Sequence, residues 1–193
     1  MSIAAMKSAS PAATRDRLKA IIKERSYIYD EHGEFKLASG AVSKFFFDLK
    51  VTLLDPEGSN LASDMILELI QPLKADAIGG LVIGACPIAS SVCTKSWLAG
   101  QPIRGFYVRK EPKKRGTQKL VEGDMLKKGD RVVVVEDVTT SGGSAMDAVK
   151  SLRELGCEIV KIITIVDREQ GAKEMFAKEG IDFTPLFTKS EFE

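Results

Sequence analysis

Residues 132–144 read VVVVEDVTTSGGS. Four consecutive β-branched valines predict a short buried strand, and it runs straight into two adjacent carboxylates, Glu136 and Asp137. A turn rich in hydroxyls and glycine follows (Thr139, Thr140, Ser141, Gly142, Gly143, Ser144), then a helical stretch, AMDAVKSLREL, at 145–155. A strand–loop–helix of this kind points backbone N–H groups and a helix dipole at one spot, which suits a phosphate. The hydroxyls add donors, and glycines let the backbone come close to a ligand. The carboxylates fall at the C-terminal end of the strand, where open α/β sheets hold their ligands. A phosphate beside two hydroxyl-seeking carboxylates describes a ribose 5-phosphate. Inert βα turns of similar composition exist. The loop lacks the Lys-Ser/Thr pair of the nucleotide triphosphatase P-loop, and its glycines are not spaced as in the dinucleotide fingerprint.

Outward from this segment the pattern alternates. Ser10-Pro11 reads as an N-cap with proline at the first helical position, opening a helix to about Ser26. A turn-rich region leads into a strand, FFFDLK, at 45–50, and Asp55-Pro56-Glu57 caps a second helix to about Leu73. Strands are expected at 78–83, 103–109, 131–136 and 158–166, with helices at 88–99, 144–155 and 169–179. Apolar runs alternating with helical segments argue for an α/β fold, a central parallel sheet flanked by helices. The N-terminal region breaks the alternation and is expected to form a small hood beside the sheet. Residues 1–193 are read as a single domain with residues 1–9 mobile.

The chain has 28 Lys+Arg against 27 Asp+Glu, a formal charge of +1. General attraction to nucleic acid or membranes has no support, so an anion site must be built locally. Cys86, Cys93 and Cys157 make an odd number without CxxC spacing, which argues for a reducing, cytoplasmic setting and against zinc or a disulfide framework. No protein-bound metal site is expected. The first residues lack the apolar core of a signal peptide, and no stretch approaches the roughly 20 apolar residues that span a bilayer.

Between the strands at 103–109 and 131–136 lies RKEPKKRGTQKLVEGDMLKKGD. Its first half carries Arg109, Lys110, Lys113, Lys114, Arg115 and Lys119 against Glu111 and Glu122. It lacks apolar periodicity and is long for a connection in a compact domain. It reads as a solvated charge run, as a nucleic-acid patch, or as a mobile lid over 110–123 that meets a polyanion. No aromatic residue occurs between Arg109 and Arg131 to stack on bases, which counts against nucleic acid.

The 132–144 string resembles the signature of type I phosphoribosyltransferases, which bind 5-phosphoribosyl 1-pyrophosphate (PRPP). The resemblance implies that Glu136 and Asp137 contact the ribose hydroxyls while Val138 to Ser144 wrap the 5-phosphate. It also implies the fold of that family, with magnesium bound mainly through PRPP. Displacing pyrophosphate builds charge on the leaving group, which magnesium and lysines stabilise, and a closing lid keeps water from the sugar cation.

Three further stretches are similar to the orotate branch of that family. In FKLASGAVSKFFFDLK at 35–50, alignment on the Ser-Gly turn puts Phe46 and Phe47 where the family's aromatic pair holds the pyrimidine; on period alone they are core strand residues. RKEPKKRG at 109–116 is similar to the family's RKxxKxHG lid. Arg109 and Lys110 match there, Lys113 would be the catalytic lid lysine on the pyrophosphate, and Arg115 stands where the family has histidine. VDREQGA at 166–172 matches a D-R-x-x-G segment in which Arg168 would pair with the orotate carboxylate; its plainer reading is a surface salt bridge beside Asp167. Thr140 matches a residue that also touches orotate. Two positions depart from lysines that some members carry, Cys86 and Ala38. The resemblance implies a homodimer with shared active sites. Its rivals are a purine phosphoribosyltransferase and a non-catalytic regulator of the same fold; a regulator would be expected to carry a DNA-binding module, for which the chain leaves no room.

Overall fold

The computed structural model describes residues 10–33, 35–36, 42–111, 120–123 and 126–193. In chain order its elements are α1 (Pro11–Arg25), β1 (Tyr27–Tyr29), β2 (Phe35–Lys36), β3 (Val42–Ser43), β4 (Phe45–Phe47), α2 (Leu49–Leu53), α3 (Pro56–Ile70), β5 (Ala77–Leu81), α4 (Ala85–Leu98), β6 (Arg104–Val108), β7 (Val121–Gly123), β8 (Arg131–Thr139), α5 (Gly143–Glu154), β9 (Glu158–Asp167), α6 (Ala172–Lys178) and β10 (Phe183–Thr188). A final 3-10 turn spans Lys189–Glu191.

The main sheet runs β10-β9-β8-β5-β6-β7. Its first five strands are parallel, as expected, and β7 is antiparallel to β6 at one edge. The valines of β8 show why both faces must be covered. Val133 and Val135 belong to one core with Leu18, Ile66, Ile88 and Val92, from α1, α3 and α4. Val132 and Val134 belong to a second core with Ala148, Val149, Leu152 and Phe176, from α5 and α6. Alternate side chains of a strand point to opposite faces, so one short sequence run feeds both layers.

The helix starts follow their caps. The Ser10 hydroxyl accepts the Ala13 N–H, and Asp55 accepts the N–H groups of Glu57 and Gly58 at 3.1 and 2.9 Å. The hood consists of α1, the β1–β4 antiparallel pair, the β2–β3 pair and α2. Its aromatic centre joins Tyr27 and Phe47 to Phe192 from the far end of the chain.

Several expectations are corrected. The strand expected at 45–50 stops at Phe47, because Leu49, Thr52 and Leu53 recur at helical spacing and are all buried, which makes 49–53 a helix. Helix α4 begins at Ala85 rather than Ile88. The helix expected from Glu169 begins at Ala172, since Glu169 and Gly171 have φ of 58° and 93°, outside the right-handed helical region. Strand β8 continues to Thr139, so the two carboxylates lie within the strand. Strands β7 and β10 have no counterpart in the sequence reading: β7 is three residues inside a charged loop, and β10 contains Pro185, tolerated because the strand is an edge. The expectations for residues 1–9 and for most of the lid, 112–119, lie outside the described residues.

Gly79 in β5 is a packing constraint, since a Cβ there would collide with the Phe106 carbonyl oxygen and ring. Gly79→Ala is expected to lower unfolding free energy by about 1–3 kcal/mol, the usual range for overpacking. Urea denaturation checks it, and an unchanged midpoint would show that β5 and β6 can separate at no cost.

Candidate active site

The site is built where β8, β5 and β9 end together. Glu136 is buried at 8 % exposure, and its Oε2 accepts the Thr139 hydroxyl at 2.6 Å. Burial, with the neighbouring Asp137 charge adding to it, raises its pKa to about 7, and the Thr139 hydrogen bond offsets part of the shift. Asp137 is half-buried, and its Oδ1 accepts the Val138 N–H at 2.9 Å. Burial pushes its carboxyl above the usual range, while the charge of Lys50 pulls it back.

As neighbours in a strand the two carboxylates leave β8 on opposite faces. Asp137 follows Val133 and Val135 toward α4 and α2. It lies so close to Gly84 that a Cβ on that residue would strike the carboxylate. Glycine is therefore required at the N-cap of α4. The β5–α4 connection also contains a cis peptide between Val82 and Ile83. Lys50, on the first turn of α2, is ion-paired with Asp48 at 2.6 Å. A cavity of about 640 Å³ opens beside these residues, lined among others by Lys50, Leu54, Ile83, Cys86 and Thr94.

Glu136 faces the α5 side. Beyond Thr139 the chain turns through Thr140, Ser141 and Gly142 into α5. Gly142 has φ of 84°, and a Cβ on it would run into Phe176. The left-handed turn and the close approach of α6 both demand glycine here. Gly142 gives α5 no side-chain cap, so the first N–H groups of this twelve-residue helix have no capping side chain. Gly143 and Ser144 are exposed beside them, and Val138 packs inward against the α3–α4 core.

One strand over, Arg168 follows β9. Its backbone N–H donates to the Thr139 carbonyl at 2.8 Å, which ties it to the end of β8. The side chain is 4 % exposed and is not a surface salt bridge. Among the described residues no carboxylate lies within ion-pair distance of it. Asp167, its chain neighbour, instead accepts the Glu169 N–H at 2.9 Å. One guanidinium nitrogen of Arg168 donates to the Ser43 hydroxyl at 3.0 Å, its Nε has no partner, and burial lowers its pKa.

The aromatic residue over this guanidinium is Phe45, with 5.6 Å to the ring centroid. Phe45 and Phe47 share one face of β4, and depth separates them. Phe47 is buried in the core, which contradicts a ligand-facing place for it, and Phe46 leaves β4 on the other face to stack on Phe35 at 5.8 Å.

Arg109 anchors the base of the basic loop. Its N–H donates to the Leu120 carbonyl at 2.8 Å, and its guanidinium meets Glu122 at 3.5 Å. With β7 paired to β6, the loop leaves and returns at one place, as a hairpin. Lys110 is exposed at its start. Lys113 and Arg115 lie outside the described residues. Ser43, Phe45 and Lys50 were not singled out from the sequence; for Ser43, 125 residues from Arg168, no local signal exists.

Among the described residues no helix is long and apolar enough to cross a membrane, and no cluster of three or more ligating side chains could hold a metal ion.

Comparison with known proteins agrees with this geometry. A family model described as a phosphoribosyl transferase domain matches residues 57–184. An orotate phosphoribosyltransferase of Rhodopseudomonas palustris is 48% identical over 188 residues, covering 95% of this chain and 98% of the relative. That of Aquifex aeolicus is 44% identical over 177 residues, covering 92% and 96%. Among solved structures, Mycobacterium tuberculosis orotate phosphoribosyltransferase in complex with PRPP aligns with a TM-score of 0.76 at 31% identity, over 93% of this chain and 98% of that one.

The raised Glu136 pKa has a stability consequence. A carboxyl whose folded pKa lies above its unfolded value stabilises the fold fully below about 4.5 and loses that contribution as pH rises through about 7. Glu136→Gln, neutral at every pH, is expected to match the wild type near pH 4 and to exceed it above pH 7, by up to roughly 3 kcal/mol. Melting temperatures across this range check it; a difference independent of pH would mean that Glu136 is not held in a desolvated site.

Proposed function

The chain belongs to the orotate phosphoribosyltransferase family of type I phosphoribosyltransferases, and from that premise we infer that it transfers the 5-phosphoribosyl group of PRPP to N1 of orotate, giving orotidine 5-phosphate and pyrophosphate. It is a pentosyltransferase of UMP biosynthesis. The observation that carries the choice of base is Arg168. A buried guanidinium with no carboxylate partner, held one strand from the phosphate loop, is made for a planar anion. Orotate carries a carboxylate on its ring; purine bases do not.

In this reading the loop Thr140–Ser144 and the uncapped first turn of α5 hold the 5-phosphate, with Val138 and Thr139 supporting the loop from β8. Glu136 and Asp137 straddle the end of β8 and accept hydrogen bonds from the ribose 2- and 3-hydroxyls. Their desolvation favours exchange of a costly buried charge for charge-assisted hydrogen bonds to substrate. Thr140, beside both loop and Arg168, touches orotate. Phe45, rather than Phe47, walls the arginine, and Phe46 belongs to the hood's outer face.

Magnesium fits this donor set as an ion carried in on the diphosphate. The described residues offer it no cage, and Asp137, the less buried of the two carboxylates, is the side chain that would contact it. When bound, the ion neutralises charge growing on the leaving pyrophosphate. Orotate attacks as an anion and needs no strong general base. Arg109, Lys110 and Arg115 attract the polyanion, and Lys113 stabilises the leaving group from a lid over 110–123. The free cysteines support a reducing, cytoplasmic setting.

The protein works as a homodimer in which each lid covers the neighbour's site. Support comes from the wall around Lys50, where Leu54 and Ile83 are 74% and 68% exposed beside the cavity, an apolar surface suited to a second copy.

Two experiments test the reading. Arg168→Ala is expected to raise KM for orotate far more than that for PRPP, since losing a charged hydrogen-bond partner costs about 1.5–3 kcal/mol. A panel of orotate, uracil, adenine, guanine and xanthine should release pyrophosphate with orotate alone. Normal orotate KM in the variant, or turnover of a purine, would reject the assignment of the base.

Subunit mixing tests the shared site. Lys113→Ala and Asp137→Asn, each inactive alone, should recover roughly a quarter of wild-type activity on mixing, because half of random dimers are heterodimers with one intact site. Verified subunit exchange without recovery would show that each lid serves its own subunit.

A further inference from the structure

The arginine that faces the base is followed by a residue with no part in the chemistry above. Glu169 has φ of 58°, in the left-handed region that residues with a Cβ rarely adopt. Its carboxylate is gripped by the last turn of the chain. One oxygen accepts the Ser190 N–H at 2.9 Å and the other accepts the Ser190 hydroxyl at 3.2 Å. The backbone on either side of Arg168 is thus held twice: before it by the Arg168 N–H on the Thr139 carbonyl at 2.8 Å, after it by this doubly bonded glutamate.

The same C-terminal turn reaches the rest of the wall around Arg168. Lys189 Nζ lies 4.5 Å from the centroid of Phe45, the ring that also takes the Arg168 guanidinium. Glu191 pairs with Arg15 of α1 at 2.7 Å and accepts the Thr188 N–H at 3.0 Å. Phe192, 1 % exposed, closes the hood's aromatic cluster against Tyr27, Phe47 and Phe187.

We propose that the C-terminal turn is a clasp that sets the position of Arg168 through the Glu169–Ser190 double hydrogen bond, making Glu169 and Ser190 positioning residues for orotate. The proposal rests on the reading of Arg168 as the partner of the base carboxylate. The side chain of Arg168 cannot fix itself, because one nitrogen carries both its bonds, to the Ser43 hydroxyl at 3.0 Å and the Phe45 carbonyl at 3.5 Å, and its Nε is unpartnered. Its aim is therefore inherited from the backbone. Glu169 pins that backbone in one conformation; without the grip a residue with a side chain would leave for the right-handed or extended regions, and glycine would move among all of them. Both bonds to Ser190 are exposed, so they add little to global stability and act locally.

The test is steady-state kinetics on the full chain with Glu169→Gly, Glu169→Gln, Ser190→Ala, Arg168→Ala and the Glu169→Gly/Arg168→Ala double variant. Glycine adopts the left-handed φ freely, so Glu169→Gly removes the grip without a folding penalty. It is expected to raise KM for orotate about tenfold, the effect of roughly 1.4 kcal/mol of lost binding. KM for PRPP and the melting temperature should stay at wild-type values. Ser190→Ala should give a smaller rise of the same selectivity, and Glu169→Gln, whose amide oxygen still accepts the Ser190 N–H, should restore most of the affinity. In the Arg168→Ala background, Glu169→Gly should have no further effect. A wild-type orotate KM in Glu169→Gly, with a raised one in Arg168→Ala, overturns the clasp and leaves the role of Arg168 standing. Equal rises in both Michaelis constants, or additive effects in the double variant, overturn it as well. An unchanged orotate KM in Arg168→Ala removes the carboxylate assignment and the clasp with it.

Discussion

Strand β8 is hydrogen-bonded on both edges, by β5 and β9, and covered on both faces by helices. A strand in that position has no freedom of register. A slip of one residue would exchange the valines of the two cores and send Glu136 and Asp137 to the wrong faces. The rest of the site is referred to this strand. Arg168 is placed by a backbone bond to Thr139, Gly84 by contact with Asp137, and α5 by the turn that β8 ends in. The sheet supplies the stability, and its C-terminal edge is where that rigidity is used.

What lies at the edge is unfavourable by itself. Burial raises the pKa of Glu136 and Asp137 and lowers that of Arg168, so each charge is held where its charged form is disfavoured. In a stable core such groups would be paired with one another. Here they are kept apart, the carboxylates on either side of β8 and the guanidinium beyond β9. Each is thereby left to meet a group of opposite or complementary character on a ligand. The surrounding cores, dense in Val, Ile, Leu and Phe, offset the cost.

The hood joins distant parts of the chain. Its β1–β4 pair, α1 and the C-terminal turn come from opposite ends of the chain and meet in one aromatic cluster. That closure puts Ser43 and Phe45 over Arg168 from the N-terminal side, and Glu169 under the hold of Ser190 from the C-terminal side. The wall around Arg168 is thus a joint between chain termini, while the loop after β8 is a single continuous segment.

This difference explains what could be read without the structure. The strand–loop–helix at 132–155, the pair of carboxylates at the strand's end, the parallel order of the sheet and the family were legible in the sequence, because each is written in consecutive residues: a β-branched run, a glycine turn and a helical period. Arg168 was legible as a residue but not as a buried one, since burial depends on the hood, more than a hundred residues away. The ring over the Arg168 guanidinium is Phe45 rather than Phe46 or Phe47, because a run of three phenylalanines shows neither which face of its strand is turned to Arg168 nor which residue of that face the core claims. The helix in place of a strand at 49–53, the three-residue β7 and the proline-bearing β10 were decided by neighbours, whose packing overrides weak local preference. Local sequence determined the chemistry that one segment can carry alone, and tertiary structure decided which distant side chains share its space, because burial and facing are properties of the assembled layers.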